Sequence, residues 1–493
     1  MKNKWIKLLT IIIIMFALSI ALFGCGRTRL TDEPTPSPMQ INQRVASVYS
    51  GPDGSYALLE DGTLLGWGDN YRLQLGVDSL SRLYRPTEIM NNVERILHIG
   101  FNNFAVITRD GAVWAWGLNQ CGQLGDGTNE PSRTPVKVME DVVHFSMRGR
   151  HTTVMAITSD GTLWGWGNNQ HGIIGDGTTE NRNTPTKVLS NVISVYLGSH
   201  HAVAITSDGV LWAWGDNTYG QLGNGTTNSS YYPIPVMEEV AYAEINSFST
   251  SAITHNGSLW SWGRNENGFL GDGTTENRYS PVWILDDIIK TGGWGSFAIK
   301  SDNSLWAWGD NRNGRLGDGT IENRYLPIKI MEDVASISTV GTTALAITTE
   351  NELWTWGGNR FGLLGGGTIW NRHEPRKIIS NVESLYISYN NIMVITFDGT
   401  LWAWGNNTLG QLGDGTTRNR REPIKIMDNV ASARSEWERT MVITTDGNLW
   451  AWGENTYGQL GVGTTNGEII VTTGFGTPNK TAWRSQILVL EYN

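Results

Sequence analysis

The doublet Trp-x-Trp-Gly returns at a fixed interval through most of this chain. Its second tryptophan falls at Trp67, Trp116, Trp166, Trp214, Trp262, Trp308, Trp356, Trp404 and Trp452, at intervals of 46 to 50 residues, and only the first copy lacks the leading Trp. The clearest copy runs Leu401-Trp402-Ala403-Trp404-Gly405-Asn406-Asn407-Thr408-Leu409-Gly410-Gln411-Leu412-Gly413-Asp414-Gly415-Thr416-Thr417. A period of this size marks a stacked or radial array of one supersecondary unit, since a single unit cannot bury its own hydrophobic face. Most of the 493 residues therefore describe a scaffold, and function has to be sought where the copies differ.

Each unit reads as four short β-rich runs separated by turn residues. In the eighth these are Val382 to Ile387, Ile392 to Thr396, Leu401 to Trp404 and Pro423 to Ile426. Asp110-Gly111, Asp160-Gly161, Asp208-Gly209, Asp398-Gly399 and Asp446-Gly447, with Asn256-Gly257 as a variant, sit between the second and third runs. Asp-Gly and Asn-Gly accept the positive φ of a tight hairpin turn, so these two runs form a hairpin in every unit. The third run alternates Leu-Trp-Ala-Trp, which puts both Trp on one face of the sheet and Leu and Ala on the other. Both faces are apolar, and both need a neighbour. A Trp removes about 150–250 Å² from water, worth roughly 4–6 kcal/mol at most. No helical period of comparable strength appears after residue 44.

A ring of four-stranded antiparallel sheets satisfies these demands and leaves only short, protected edges. The fold expected is all-β, a β-propeller of about nine repeats. The unit resembles the regulator of chromosome condensation repeat family through Trp404-Gly405, Asn407, Gly410-Gln411-Leu412-Gly413 and Gly415-Thr416 and their counterparts, over about residues 44 to 476. The resemblance implies seven blades, whereas nine units are present here. A nine-bladed ring, a seven-bladed ring with extra units and an open arc all remain open, with a closed or nearly closed array favoured. Unit one has Leu73 in place of a loop Gly, and unit nine has Val462 in place of the usual Asp, as end repeats often depart from consensus. The run Gln486-Ile487-Leu488-Val489-Leu490 reads as a further strand that helps close the ring.

The N-terminus is different. Lys2, Lys4 and Lys7 precede an apolar run from Leu8 to Phe23 that ends at Gly24-Cys25. A basic start, a short apolar stretch and a small residue before the cut form an export signal. With Cys next, residues 1–24 look like a bacterial lipoprotein signal, making Cys25 the lipidated mature N-terminus; the alternative is an uncleaved anchor. Residues 25–44 contain Pro34, Pro36 and Pro38 and form an extended spacer. The propeller repeats then occupy 45–476, and 477–493 hold the C-terminal strand. The product is expected to be exported and membrane-anchored on the extracytoplasmic face or cell surface. The formal charge is −10, and loss of the leader's three Lys takes the mature chain to near −13. No basic stripe is present, which argues against nucleic acid as partner. Cys25 and Cys121 are the two cysteines, so no internal disulfide is expected when Cys25 carries lipid.

In an up-down-up-down blade, the loops joining strands one to two and three to four share one end. These loops vary. Phe101, Asn103, Phe104, Arg148, Arg150, His151, His200, His201, Trp294, Tyr389 and Trp437 lie in or beside the first set, and Trp370 lies in the long loop of unit seven. Aromatic and Arg side chains dominate protein–protein hot spots, and variable loops on a rigid scaffold are a common binding design. These twelve residues are the candidate partner-binding set. His151, His200 and His201 could converge on a metal, but no Cys or acidic residue is placed to join them, so no metal or other cofactor is expected. The recurrent Gly-Asp-Gly-Thr lacks the oxygen-ligand density of a calcium loop and reads as a turn. The recurrent Asn-Arg (Asn277-Arg278, Asn323-Arg324, Asn419-Arg420) is expected to tie the long loop to a neighbouring blade.

These features point to a surface-tethered scaffold that recognises an extracytoplasmic protein through the variable loops. Similar exported bacterial propellers include a β-lactamase inhibitory protein, which implies that an enzyme is one kind of partner. The alternative is a carbohydrate or cell-wall binding module using loop Trp and Tyr as stacking platforms. No nucleophile–base–acid set stands out, so the chain is read as not an enzyme. The nucleotide-exchange role associated with the family does not suit a lipoprotein, and no residues carrying it can be matched. Replacing Cys25 with Ser should move the protein from the membrane pellet to the soluble fraction of lysed cells; retention in the pellet would sink the lipid-anchor reading.

Overall fold

The computed structural model describes residues 39–41, 43–51, 53–98, 103–148, 152–293, 295–436, 438–464 and 487–492. The signal, Cys25 and most of the spacer lie outside them. Nine antiparallel sheets follow one another along the chain, eight of them meanders of four consecutive strands. Blade four is representative, with strands Val192–Leu197, His201–Thr206, Leu211–Gly215 and Ser230–Met237. Blade nine is built differently. Its strands Val430–Glu436, Arg439–Thr444 and Leu449–Gly453 take Ile487–Tyr492 as their antiparallel fourth member, and Met39–Ile41 pairs in parallel on the outside of that strand.

Three contacts recur between successive blades. First, the hairpin turn receives the next blade. Gly209 sits at φ +81°, and its carbonyl accepts the Val240 N–H at 2.8 Å. Second, the indole N–H of the second Trp donates to a loop carbonyl of the preceding blade: Trp214 to Ile173 at 2.7 Å, Trp262 to Gln221 at 3.0 Å, Trp404 to Leu363 at 2.8 Å. Third, a loop glycine donates to the fourth strand of the next blade, as Gly177 does to Tyr231 O at 2.8 Å and Gly225 to Tyr279 O at 2.7 Å.

The same three contacts join blade nine to blade one. Val45 N meets Gly447 O at 3.4 Å, Trp67 Nε1 meets Gln459 O at 2.9 Å, and Gly463 N meets Tyr84 O at 2.7 Å. The ring is closed, and it has nine blades. The seven implied by the family resemblance does not hold here, because units one and nine both keep the contacts that a blade needs on each side. A further bridge spans this junction. Arg439, 1% exposed, reaches from blade nine to Ser50 Oγ at 2.6 Å and to the carbonyls of Gly51 and Gly54 in blade one. Burial pushes its guanidinium down to about 10, against the pull of Glu454, Asp53, Glu436 and Tyr49.

The core lies between blades. All nine second Trp side chains are fully buried. Trp262 packs with Val203, Ile205, Leu211 and Ala213 of blade four, so the Leu–Ala face of one third strand meets the Trp face of the next. The first Trp of each doublet is half-buried, as Trp212 and Trp402 show. The loop glycine beside each indole has no substitute. Gly223 lies at φ +77°, and a Cβ there would come within 2.6 Å of Trp262 Nε1.

The long loops are tied mainly to themselves, which corrects the expectation for the Asn-Arg pair. Asn277 Oδ1 accepts the Asn265 N–H at 3.0 Å, twelve residues back in the same blade, and Arg278 forms an ion pair with Asp272 of its own loop. Asn323 and Asn371 do reach the preceding blade, at Asn267 and Asn313. The Asp of Gly-Asp-Gly-Thr accepts the Thr274 N–H at 3.0 Å and the Asn265 amide at 3.0 Å. It is a turn group whose charge is met by an Arg.

For Asp272 and Asp318, burial raises the carboxyl, but hydrogen bonds from Arg278 and Thr274, and from Arg324 and Thr320, outweigh it and hold each below its usual 3.8. A depressed carboxyl stabilises the fold above the unfolded value and loses that contribution as pH falls through the folded one. Thermal midpoints should therefore fall as pH drops below about 3.8, and the Asp272→Asn/Asp318→Asn double variant should show a shallower fall over that range. Parallel curves for the variant and the parent would contradict this.

Candidate functional site

In seven blades the residue after the third-strand Gly donates its N–H to the first loop of the same blade. Asp216 N meets His200 O at 2.9 Å, Arg264 N meets Phe248 O at 2.9 Å, and Asn406 N meets Asn390 O at 2.8 Å. This bond fixes the first loop and the long loop at one end of each of these blades, with the hairpin turns at the other. The variable residues are thereby gathered on one face of the ring.

On that face, side chains from blades three, four and five interlock. His171 from the long loop of blade three lies 4.2 Å, ring to ring, from His200 in the first loop of blade four. His200 lies 5.8 Å from Phe248 in the first loop of blade five, and Tyr219 stands edge-on to Phe248 at 5.1 Å. The guanidinium of Arg264 covers Tyr219 at 5.1 Å and Phe248 at 5.6 Å, close enough for cation–π attraction. Glu266 forms an ion pair with Arg264. Beside the cluster is a depression of about 210 Å³ lined by Asn246, Ser247, Phe248, Ser249, Arg264, Glu266 and Phe269. Phe248 and Tyr219 are each half-buried, so these rings are held by packing and still reach solvent.

The residues expected from sequence are placed as follows. His200 belongs to the cluster. Tyr389 and Trp370 are among the most exposed aromatic side chains, at 73% and 75%. Tyr389 borders a depression of about 340 Å³ together with Asn313, Thr342, Asn359, Asn371 and Asn390. Trp370 stands in the long loop of blade seven, where its carbonyl accepts the Asn359 amide at 2.9 Å. Asn103, Phe104 and His201 are not surface residues, which corrects their placement in the partner-binding set. Asn103 pairs with Gly117 and His201 with Gly215, so the second strands begin at these residues. Phe104 is 2% exposed and stacks on Tyr56 of blade one at 3.8 Å between centroids. His201 is fully buried, with Nε2 3.0 Å from Thr250 Oγ1 of the next blade. Arg148 closes the first strand of blade three. Phe101, Arg150, His151, Trp294 and Trp437 lie outside the described residues.

Sequence reasoning missed Tyr219, Phe248, Arg264 and the partnership of His171. A signal was available. Position 121 of blade two is His171, Tyr219, Asn267 and Phe361 in later units, a variability that reads as tolerance but marks a rim position. Cys121, half-buried, accepts a long contact from Asn168 Nδ2 at 3.8 Å. Among the described residues, no group of three or more His, Cys, Asp or Glu is placed to hold a metal ion.

Blade seven shows one electrostatic irregularity. Gly366 stands where five other loops carry Asp, and Arg372, which takes the place of the paired Arg, keeps a buried Nη1 without a hydrogen-bond partner among the described residues. Burial, and then the charge of Arg376, lowers its guanidinium from its usual value.

Comparison with known proteins agrees with this architecture. The description of the RCC1-like domain matches residues 25–289. That of the regulator of chromosome condensation (RCC1) repeat matches 302–342, 350–389 and 398–435, and a second form of the same repeat matches 382–411 and 437–459. The chain is 36% identical over 110 residues to the RCC1 domain-containing protein RUG3, mitochondrial, of Arabidopsis thaliana, covering 22% of this chain and 25% of that protein. It is 35% identical over 115 residues to the Ultraviolet-B receptor UVR8 of the same plant, covering 22% and 26%. The chain thus spans about a quarter of the length of each relative. Among solved structures, human WBSCR16 aligns with a TM-score of 0.47 at 17% identity, over 76% of this chain and 96% of that one. With more than half of its length matched by the RCC1-like domain alone and the repeats continuing to residue 459, this chain belongs to the RCC1-like family.

Proposed function

We propose that this protein is a binding scaffold that captures an extracytoplasmic protein partner through the loop face of its ring, with blades three to five as the principal contact. Its N-terminal lipid at Cys25 and the Pro-rich spacer hold the ring off a membrane surface. Binding, not catalysis, is its mode of action in this reading. The observation that carries it is the interlocking of His171, His200, Tyr219, Phe248 and Arg264 across three consecutive blades. Aromatic and Arg side chains that are held in place yet reach solvent lose little entropy on contact, which is the character of hot-spot residues. A site for long polysaccharides would instead favour aromatic platforms spread around the ring.

One observation supports a glycan reading at a second place. Exposed Tyr389 borders a depression rich in amide side chains, Asn313, Asn359, Asn371 and Asn390. A ring face beside convergent amides suits a sugar.

The test is cross-linking in intact cells with the mature chain as bait, comparing the parent with a Phe248→Ala/Arg264→Ala variant, a Trp294→Ala/Trp437→Ala variant and Tyr389→Ala. Loss of two hot-spot side chains should weaken capture of the parent's protein partner at least tenfold, since hot spots are worth about 2 kcal/mol or more each, with the thermal midpoint little changed. Undiminished capture by the Phe248/Arg264 variant would contradict the reading. A large drop in thermal midpoint would return those residues to a packing role. Recovery of glycan, lost only in Tyr389→Ala, would replace the protein reading with the second one.

A further inference from the structure

The junction of blades five and six departs from the rest of the ring. On the face that blade five turns to blade six, Glu244, Ser251 and Ser261 stand side by side: Glu244 is registered opposite Ser251, and Ser251 opposite Ser261. The same row in blade four is Tyr196, Val203 and Ala213, which packs into the hydrophobic core shared with blade five. At the next junction that core is reduced to Ile253, Leu259, Ile284, Ile288, Ala298 and Trp308. Blade six contributes to the change. The Thr291 hydroxyl approaches Glu244 from blade six, and Gly295 occupies a position that is Asn103, Thr153, His201 or Arg439 in other blades and Gly54 in blade one. A Cβ on Gly295 would meet nothing closer than Ser251 Oγ at 3.7 Å.

The result is a polar recess. Its floor, about 10 Å³, is lined by Glu244, Ser249, Ser251, Ser261 and Gly295, and it shares Asn246, Ser249 and Phe269 with the 210 Å³ depression on the loop face. Within it, Glu244 Oε2 is buried and has no hydrogen-bond partner among the described residues. Leaving such a group unmatched is costly, and more so when it carries charge. Burial raises the Glu244 carboxyl above its usual range, tempered by the Thr291 hydroxyl and the Gly295 N–H. A site of this kind gains most from a compact cation that donates several hydrogen bonds.

We propose that this recess receives the side-chain ammonium of a lysine presented by the partner protein. The floor holds one water-sized group, which admits an ammonium and not the wide planar fork of a guanidinium. The N–H donors of the ammonium meet the Glu244 carboxylate and the Ser251 and Ser261 hydroxyl oxygens that line the floor. The aliphatic stem lies in the wider mouth against Phe248 and Phe269. Arg264 at the mouth does not repel the incoming charge, because Glu266 already neutralises it. The inference rests on the protein-binding reading above and specifies the chemistry of the partner's anchoring residue.

The probe is n-butylammonium, a lysine side chain without its backbone, titrated into the purified mature protein and followed by NMR, with 1-butanol as the uncharged control. The parent should bind n-butylammonium and not 1-butanol. Glu244→Gln should weaken n-butylammonium binding at least tenfold. Ser251→Val, which installs the residue blade four carries at this register, should do the same by filling the recess, and it keeps the test available if Glu244→Gln does not fold. Absence of n-butylammonium binding by the parent, equal binding of 1-butanol, or equal binding by a folded variant overturns the proposal. Because the probe needs no partner, its outcome is independent of the cross-linking experiment. A parent that captures its partner but ignores n-butylammonium refutes the lysine pocket alone.

Discussion

The structure depends on one interaction made nine times: a fully buried indole whose N–H is spent on the loop carbonyl of the preceding blade. Indole burial is the largest apolar contribution a single side chain offers, but it carries a donor that is costly to bury unpaired. Giving that donor to the neighbour solves both problems with one contact. It also makes each blade incomplete by itself, since its Trp face and its loop carbonyl are satisfied on opposite sides. Stability then accrues from interface to interface, as in other repeat arrays, and an unclosed chain would leave Trp67 exposed at one end and the Gln459 carbonyl without its donor at the other. Closure removes both defects. Arg439 adds hydrogen bonds at the one junction that no peptide linker of the repeat crosses.

With the interior assigned to Trp, Leu, Ala and Gly, the loops are released from stabilising the ring. The long loops carry their own internal supports, such as Asn265 with Asp272 and Arg278 with Asp272, and so hold shape without help from a ligand. That leaves positions 171, 219 and 248 free to vary from blade to blade. Blade five goes further and gives up interior packing at Ser251 and Ser261. The cluster on the loop face and the recess beneath it share Phe248's depression, so the two departures from the repeat occupy one place.

Much of the architecture was legible in the sequence, because its determinants are local. The Trp-x-Trp alternation, the Asp-Gly turns and the period together define strands, faces and blades. Closure was not, since Trp67 and Gln459 are remote in sequence and no pattern joins them. The candidate site was read less well. Asn103, Phe104 and His201 were placed in loops because strand boundaries are set by pairing to Gly117, Trp116 and Gly215, which composition does not reveal. The Asn-Arg pair recurs with the scaffold, which is true of contacts within a blade as much as between blades. Phe248 and Arg264 passed unnoticed because each is unremarkable alone, and their meaning comes from the neighbouring loops that bring Tyr219 and His200 beside them.

The central claim is that nine blades close on one another through their indoles. Hydrogen exchange of ¹⁵N-labelled Trp indoles, followed by NMR on the mature protein, tests it most directly. The account predicts nine strongly protected indole N–H groups, with Trp67 as slow to exchange as Trp262 or Trp404. Rapid exchange at Trp67 alone, with the other eight protected, would show an open arc and contradict the closed ring.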